Sequence, residues 1–427
     1  GSDAVSPASA VVAPRAFEPA LLAAVRARFP ALATDWALFD NAGGSVAADG
    51  VIARVRDHME RLGVQLGASH ALAVEAAARV AAGHRAAELL LGADPGEVVL
   101  GPSTTANLRT FAHAFGATLS PGDSLVVSDL DHESNIGAWR MLESRGITVR
   151  TWALRTATQM LHVEDLEPLL VPRTRLVAFT HCANVVGSIH DARAAIDRIH
   201  AAGALAAVDG VAYAPHRSVD VKALGADLYV VSLYKLFGPH LGMRYGRREL
   251  LERVQGQNHF FKAETELPDK LEPGGVPHEL ASALPGIVEH LLALEAMLPG
   301  GGVGDDRARM ARAFDAIAAH EAALVAPLLA DLAARPGVRV LGEPTADPAR
   351  RVATVAFTVE GRHASSEPTA LDRARLATRW GHFYAHRAMT ALGLHERGGV
   401  VRVSLAHYNT PAEVQRLLEA LDDALAH

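Results

Sequence analysis

One lysine follows a strand-length apolar run, and one carboxylate ends another such run upstream. The run at 228–232 (LYVVS) leads into Leu-Tyr-Lys235-Leu-Phe-Gly-Pro, and the run at 204–209 (ALAAVD) ends on Asp209. An apolar setting penalises the charged form of lysine, so its pKa falls and the neutral amine can attack an aldehyde. A neighbouring carboxylate can keep a pyridine nitrogen protonated. The pair therefore predicts chemistry on pyridoxal 5'-phosphate (PLP), with Lys235 bonded to the cofactor.

The order Asp209, then Ser232-x-x-Lys235-x-x-Gly-Pro, resembles the class V aminotransferases, which are fold type I PLP enzymes, and in particular their cysteine desulfurase-like branch. The resemblance covers nearly the whole chain, and it implies that Ser232 donates its hydroxyl to the cofactor phosphate. Two other interpretations of the segment exist. Lys235 alone could be a surface lysine at a strand end. Ser232-x-x-Lys235 also matches penicillin-recognising enzymes, but their Ser-Asp-Asn and Lys-Thr-Gly tripeptides do not occur in the sequence.

A short segment of small and hydroxyl residues follows the apolar run at 98–101. It reads Gly101-Pro-Ser103-Thr104-Thr105 and opens a helical stretch. Free N–H groups at a helix start, together with small hydroxyls, bind anions. The same pattern also fits a simple N-cap. The resemblance places the phosphate cup of the cofactor at Ser103, Thr104 and Thr105.

Four further residues match positions with roles in the family. His132, in DHESN, matches a histidine that stacks on the pyridine ring and moves protons. Asn184, in HCANVVG, matches an asparagine that bonds the phenolic oxygen of the ring, although turns also favour asparagine. Arg402, in VVRVSLAHYN, matches the arginine that grips the substrate α-carboxylate. Asn41, in NAGG, resembles the segment that lines the substrate side of the pocket.

The chain departs from the desulfurase pattern at several positions. Tyr384 stands where the family carries its mobile persulfide cysteine, and Cys182, the single cysteine, does not match that position. Ala212 replaces a Gln or His, and Gly275 falls where the partner subunit often offers a threonine to the phosphate. We expect a PLP enzyme that deprotonates Cα of an amino acid and eliminates a group at Cβ, a C–S lyase type of reaction. The alternatives are a class V aminotransferase, an amino-acid epimerase, or a PLP-binding protein without turnover.

The remaining pattern predicts an α/β fold. Strand-length apolar runs alternate with helical stretches such as 134–144 and 192–202 between about 95 and 250. This is typical of a mainly parallel sheet covered on both faces, which binds ligands at the carboxyl ends of its strands. We predict a disordered lead with a cloning scar at 1–15, a large PLP-binding domain at 16–298 with an N-terminal arm at 16–48, and a smaller C-terminal α+β domain at 299–427. Helices are expected at 16–32, around 370–380 and at 411–426.

Composition narrows the function classes. The chain has 427 residues, 49% of them hydrophobic and 21% charged, with a net charge of −7. This balance argues against a nucleic-acid surface, and no uncharged apolar run reaches the length that spans a bilayer. A single cysteine excludes an intramolecular disulfide framework and, with no secretory signal, fits the cytoplasm. His382 and His386 are four residues apart but lack a matching third ligand, so we expect no metal site.

The expected partner is a small amino-acid substrate. The resemblance also implies a homodimer with its active sites at the interface.

Overall fold

The computed structural model describes residues 13–426, so the predicted lead at 1–15 lies almost entirely outside the described residues. The helices are α1 (Pro19–Ala27), α2 (Asp49–Arg61), α3 (Ala71–Leu91), α4 (Thr104–Gly116), α5 (Ser134–Arg140), α6 (Ala192–Ala201), α7 (Val221–Leu224), α8 (Arg248–Arg253), α9 (His278–Ala281), α10 (Pro285–Ala296), α11 (Asp306–Ala334), α12 (Ser366–Arg373), α13 (His386–Ala391) and α14 (Pro411–Leu425). The strands are β1 (Ala37–Leu38), β2 (Val98–Gly101), β3 (Ser124–Ser128), β4 (Thr148–Trp152), β5 (Thr174–Thr180), β6 (Leu205–Asp209), β7 (Leu228–Ser232), β8 (Gly242–Gly246), β9 (Val338–Val340), β10 (Thr354–Val359), β11 (Leu376–Ala377), β12 (Arg379–Gly381) and β13 (Val400–Ser404).

The large sheet has the strand order β2-β8-β7-β6-β5-β3-β4. Strands β3 to β7 run parallel, and β8 runs antiparallel to both of its neighbours, β2 and β7. Every residue of β3 and β7 is buried, because helices cover both faces of the sheet. The prediction of a mainly parallel α/β sheet is confirmed. The carboxyl ends of β6 and β7 deliver Asp209 and Ser232 to one edge.

The C-terminal part contains an antiparallel sheet of order β12-β13-β10-β9. The N-terminal arm joins this part, since β1 pairs with β11 and Asp40 forms a bridge with Ser404 at the end of β13. Residues 37–40, which the sequence assigned to the large domain, are therefore hydrogen-bonded to the smaller one. The last helix, α14, begins with a capping box between Thr410 and Glu413.

Helix α11 connects the two parts and belongs to both cores. Its first half, including Phe314 and Ile317, packs into the core of the large sheet, while Leu328 and Leu332 pack with the C-terminal sheet. The predicted boundary at 299 therefore precedes a helix that the two parts share. By length and hydropathy α11 is also the one membrane-spanning candidate among residues 13–426, yet 61% of its most apolar window is buried inside the protein.

Two helix predictions need correction. The helix expected around 370–380 ends at Arg373, and Arg375 takes a left-handed backbone with φ of 56°. The residues after it form β11 and β12, because pairing with β1 and β13 overrides a helical pattern. The first helix, expected over 16–32, ends at Ala27, since Phe29 is extended before Pro30 and a proline disfavours helical backbone in the preceding residue.

Candidate active site

One cavity lies at the carboxyl ends of the parallel strands. Its walls bring together all the side chains that the sequence assigned to the cofactor: Ser103, Thr104, Thr105, His132, Asn184, Asp209, Ser232 and Lys235. These residues come from five separate segments of the chain. A wider cleft of about 640 Å³ opens beside the cavity and shares His132, Asn184 and Lys235 with it.

Lys235 ends a single 3-10 turn that follows β7 directly. Burial lowers the pKa of this lysine from 10.5 to about 8, and the positive charge of Arg402 adds to the effect, while Asp209 opposes it. At pH 7 about a tenth of the amine is therefore neutral, far more than for a lysine with the ordinary pKa. A neutral amine is the nucleophile that an aldehyde needs and also a base for a carbon acid.

Asp209 ends β6 and is buried. Its Oδ1 accepts a hydrogen bond of 2.9 Å from the backbone N–H of Val211. Burial raises the pKa of the carboxyl group, and the positive charge of Lys235 opposes this rise. A buried carboxylate gains by facing a cation, and a protonated ring nitrogen would supply one.

The start of α4 forms the anion-binding wall of the cavity. Ser103 is the N-cap, and its Oγ accepts a 3.0 Å hydrogen bond from the N–H of Ala106. The backbone N–H groups of Thr104 and Thr105 have no acceptor among residues 13–426. The Thr104 and Ser232 hydroxyls lie 2.7 Å apart. A Cβ on Gly242 would come within 2.9 Å of the Thr104 nitrogen, so glycine is required there.

His132 stands at the junction of cavity and cleft. Its Nδ1 accepts from the Ser134 N–H at 3.0 Å and lies 2.8 Å from the Ser134 Oγ, which leaves the proton of the neutral ring on Nε2. Burial lowers the pKa of His132 to about 4, assisted by the charges of Lys235 and Arg402. The ring is therefore neutral at pH 7, and it stacks with the Tyr384 ring at a centroid distance of 5.2 Å.

Arg402 and Asn184 connect the small and large domains at the site. Arg402 donates from Nη1 to the Asn184 carbonyl oxygen at 3.1 Å and from Nη2 to Asp40 at 3.3 Å. Its buried Nε has no partner among the described residues. The guanidinium carbon lies 3.9 Å from the centre of the Phe383 ring. Asn184 in turn donates from Nδ2 to the Phe383 carbonyl oxygen at 2.9 Å.

The structure places Asn41 differently from the prediction. Its Nδ2 donates to the carbonyl oxygens of Leu38 at 2.8 Å and Ser404 at 3.0 Å, and its Oδ1 accepts from the Tyr408 hydroxyl. The side chain is buried, and the arm lines the cleft with its next residues, Ala42 and Gly43. We therefore assign Asn41 a positioning role in place of the predicted substrate contact, because its polar atoms are already used.

The sequence analysis did not identify two charged residues of the site, Asp40 and Arg379. Asp40 accepts from Arg402 and also, at 2.8 Å, from the Nε of Arg379, which lines the cleft. The available signal was an acid directly before Asn41 in the arm, but nothing in the sequence showed that this acid meets two arginines from β12 and β13.

The turn after β12 holds Tyr384 at the mouth of the cleft. Phe383 and Tyr384 both have left-handed backbone, with φ of 53° and 57°, which costs of order 1–3 kcal/mol per residue. Asn184 binds the carbonyl oxygen of Phe383, and the Glu133 N–H binds that of Tyr384 at 2.7 Å. The only cysteine, Cys182, lines the inner cavity instead, and burial raises the pKa of its thiol to about 12.

These residues fit PLP in its chemistry. The start of α4 supplies free N–H groups and hydroxyls for a phosphate, Asp209 supplies a carboxylate for a protonated ring nitrogen, and Lys235 supplies an amine of lowered pKa for the aldehyde. Within residues 13–426 no cluster of His, Cys, Asp or Glu could hold a metal ion.

Comparison with known proteins agrees with this arrangement. The sequence model described as "Aminotransferase class-V" matches residues 37–276 and 308–417. The chain is 40% identical over 410 residues to the aminotransferase-like protein FGM3 of Gibberella zeae, covering 94% of this chain and 98% of the relative. It is 32% identical to a cysteine desulfurase of Dickeya dadantii, covering 93% and 95%.

A solved structure gives the same result. The cysteine desulfurase CsdA of Escherichia coli superposes with a TM-score of 0.81 at 28% identity, covering 96% of this chain and 99% of that one. The cysteine desulfurase-like resemblance and the fold type I architecture are thus confirmed. The chain belongs to the class V aminotransferase family, whose members are PLP-dependent enzymes.

Proposed function

We propose that this protein binds PLP and acts on a free amino acid by removing its Cα proton and cleaving the bond between Cβ and a substituent, a cysteine desulfurase-like lyase reaction. Cysteine desulfurases among the relatives and solved structures support the lyase over the aminotransferase, the epimerase and the protein without turnover.

The observation that carries the proposal is the position of Lys235 between the Asp209 carboxylate on the cofactor side and the Arg402 guanidinium group on the substrate side. The lysine lines both the cavity that holds Asp209 and the cleft that holds Arg402. Its pKa of about 8 leaves an amine that can lose and regain a proton at neutral pH. A binding protein without turnover has no need for a titratable base at the point where cofactor cavity and substrate cleft meet.

Each residue then has a role that follows from its contacts. PLP, when bound, supplies the electron sink for the negative charge that develops at Cα. Arg402 binds the substrate α-carboxylate and fixes the direction of the Cα–H bond. The amine of Lys235 takes the Cα proton, and Asp209 keeps a proton on the ring nitrogen. His132 is neutral and carries its proton on Nε2, so it can donate a hydrogen bond without adding charge.

A sulfur relay through a cysteine of this chain is not part of the proposal. Cys182 is buried and its thiol pKa is raised, so it holds little thiolate at neutral pH. Tyr384 occupies the exposed turn at the mouth of the cleft. A released sulfur or other leaving group would therefore pass directly to solvent or to an external acceptor.

The test is a visible absorption spectrum of the purified holoenzyme during addition of single amino acids, with product analysis. Repeated turnover to a keto acid and a released β-substituent supports the lyase. A keto acid formed once per active site, without further turnover, would indicate an aminotransferase. Loss of optical activity, with neither a keto acid nor a released β-substituent, would indicate an epimerase. Lys235→Ala serves as the control, since it should remove the visible absorption band of the lysine–cofactor bond.

We also propose a homodimer. Phe260 and Phe261, adjacent in the loop between α8 and α9, are 99% and 67% exposed. Exposed neighbouring aromatics of this size mark contact surfaces. A second copy of the chain is the partner that the family resemblance implies, and sedimentation velocity at micromolar concentration tests it. A monomer under those conditions would contradict the proposal.

A further inference from the structure

A second cavity lies at the opposite edge of the large sheet from the active site. It has a volume of about 430 Å³ and lies where β5 and β6 begin. Leu205 lines this cavity and opens β6, while Asp209 ends the same strand in the active site. One strand of five residues separates the two sites, roughly 13 Å at ~3.3 Å per residue. The second cavity is therefore distinct from the cofactor cavity and from the substrate cleft.

Three arginines line the second cavity, namely Arg173, Arg175 and Arg253. Asp123 is the one acidic side chain of the described residues that lines it. The Asp123 carboxylate is buried, and its Oδ1 accepts from the Nε of Arg173 at 3.0 Å and of Arg175 at 3.1 Å. Its Oδ2 accepts from the Ser120 N–H at 2.8 Å. Three positive charges and one negative charge therefore meet in this cavity, although the chain as a whole carries a net charge of −7.

The Asp123 carboxyl group is ionised and already fully engaged. Burial raises its pKa, but the hydrogen bonds from the Ser120 N–H and from the two arginines outweigh burial, so the pKa lies below its ordinary value. With both oxygens occupied, the carboxylate fixes the Nε side of Arg173 and Arg175 and leaves their outer nitrogens to face the cavity. Asp123 thus orients two guanidinium groups without neutralising the third.

The three guanidinium groups keep donors for a ligand. Arg175 uses only its Nε, so its two terminal nitrogens have no acceptor within residues 13–426. Arg173 also donates from Nη2 to the Pro121 carbonyl oxygen, which leaves its Nη1. Arg253 is exposed, and its guanidinium group has no acceptor in the described part of the chain. Such free forks match the oxygens of a phosphate group, which accepts paired N–H bonds.

The rest of the cavity wall is largely apolar. Phe115, Leu119 and Leu205 line it on the side away from the arginines' shared carboxylate. A bare inorganic ion would use the guanidinium groups but not this wall. A phosphate group attached to a small apolar body would use both, and its second pKa of about 6 makes it a dianion above neutral pH.

We propose that the second cavity binds the phosphate monoester of a small organic molecule, held by Arg173, Arg175 and Arg253. Asp123 is a positioning residue that holds two of these arginines in place. Free inorganic phosphate offers the same dianion without the organic body, so the test includes it. The proposal concerns binding alone and does not depend on the reaction at Lys235.

Isothermal titration calorimetry of the PLP-saturated protein at about pH 8 tests the proposal, because the cofactor then occupies the anion-binding wall at α4. The probes are phenyl phosphate, phenyl sulfate and inorganic phosphate. Phenyl phosphate and phenyl sulfate have nearly the same shape but differ by one negative charge. The visible absorption band is recorded in parallel, since a probe that enters the active site would change it.

Two variants each remove one guanidinium group from the cavity, Arg175→Gln and Arg253→Gln. Arg253→Gln removes no contact within the described residues, so this variant remains informative even if Arg175→Gln disturbs the fold. Arg56→Gln is the matched control with the same change of charge, because Arg56 is exposed on α2 and pairs with Glu60 outside the cavity. Circular dichroism and thermal unfolding show which variants are folded.

Phenyl phosphate should bind at least ~10-fold more tightly than phenyl sulfate, with the absorption band unchanged. Arg175→Gln and Arg253→Gln should each weaken phenyl phosphate by about 10-fold, and Arg56→Gln should bind it like the wild type. Tighter binding of phenyl phosphate than of inorganic phosphate supports the ester, and equal binding overturns the ester in favour of the free ion. The absence of saturable binding, an equal loss in Arg56→Gln, or a changed absorption band overturns the site itself.

Discussion

The buried amine of Lys235 makes a prediction about stability that does not depend on catalysis. The fall of its pKa from 10.5 to about 8 means that folding the charged lysine costs about 3 kcal/mol, since each pKa unit corresponds to about 1.4 kcal/mol. Below about pH 8 the lysine is protonated in both states, and the cofactor-free protein carries the full cost. Between about pH 8 and 10.5 the unfolded chain binds more protons, so stability rises with pH. Above 10.5 the cost is gone.

Lys235→Met isolates this effect, because methionine is also unbranched but uncharged. At pH 7 the cofactor-free variant should be more stable than the cofactor-free wild type by up to about 3 kcal/mol. The advantage should shrink by about 1.4 kcal/mol per pH unit between pH 8 and 10.5. Urea unfolding at fixed protein concentration measures both proteins, and their difference cancels the titrating groups that do not interact with Lys235. Packing differences of methionine do not depend on pH. A difference that stays constant from pH 7 to 10.5 would refute a desolvated Lys235.

Three further substitutions test the other parts of the site. Asp209→Asn keeps the volume of the side chain but removes the carboxylate. Product formation should slow by about 100-fold or more in steady-state assays. A wild-type rate would exclude Asp209 from the mechanism. Ser103→Ala removes the N-cap of α4, so the free energy of unfolding measured in urea should fall by about 1 kcal/mol. PLP binding, measured by equilibrium dialysis, should weaken as well. Unchanged values for both would contradict the anion-site assignment. Arg402→Lys keeps the charge but loses the fork, so KM should rise about 10-fold or more with the absorption band intact; an unchanged KM would place the α-carboxylate elsewhere.

The sequence predicted the large sheet closely because its central strands, unlike the edge strand β4, are buried on both faces. A strand such as β7 then appears as a continuous apolar run, and the residue that ends the run falls at the sheet edge where ligands bind. The strand ends favoured one site for Asp209 and Lys235, and the order of the motif, with the family resemblance, then supported that assignment. Local chemistry indicated either an anion site or a simple N-cap at the start of α4, and the family resemblance placed the cofactor phosphate there.

The substrate side of the site could not be derived in the same way. β11 and β12 are only two and three residues long, and they exist because of partners more than 300 residues away for β11 and about 20 away for β12. Such short segments are too short to show a hydrophobic periodicity in the sequence. Consequently the helix expected around 370–380 was wrong, and Arg379 remained unassigned. The predicted role of Asn41 changed for a related reason. Its amide group forms the hydrogen bonds that hold the arm against β13.

The cofactor end and the substrate end of the site depend on different kinds of contact, so they respond differently to substitution. The cofactor end depends on residues at the ends of strands in one continuous sheet, where a substitution disturbs the core. The substrate end depends on contacts between the arm, the turn after β12 and the strand β13, which meet at Asp40 and Arg402. The Tyr384 side chain is exposed enough to be exchanged while the carbonyl oxygens of Phe383 and Tyr384 keep their bonds to Asn184 and Glu133. A tyrosine can therefore occupy the turn where the family resemblance implies a reactive cysteine without loss of the cofactor cavity. We therefore propose that residues 379–384 influence the choice of leaving group, while the large sheet supplies the residues that activate the amino acid.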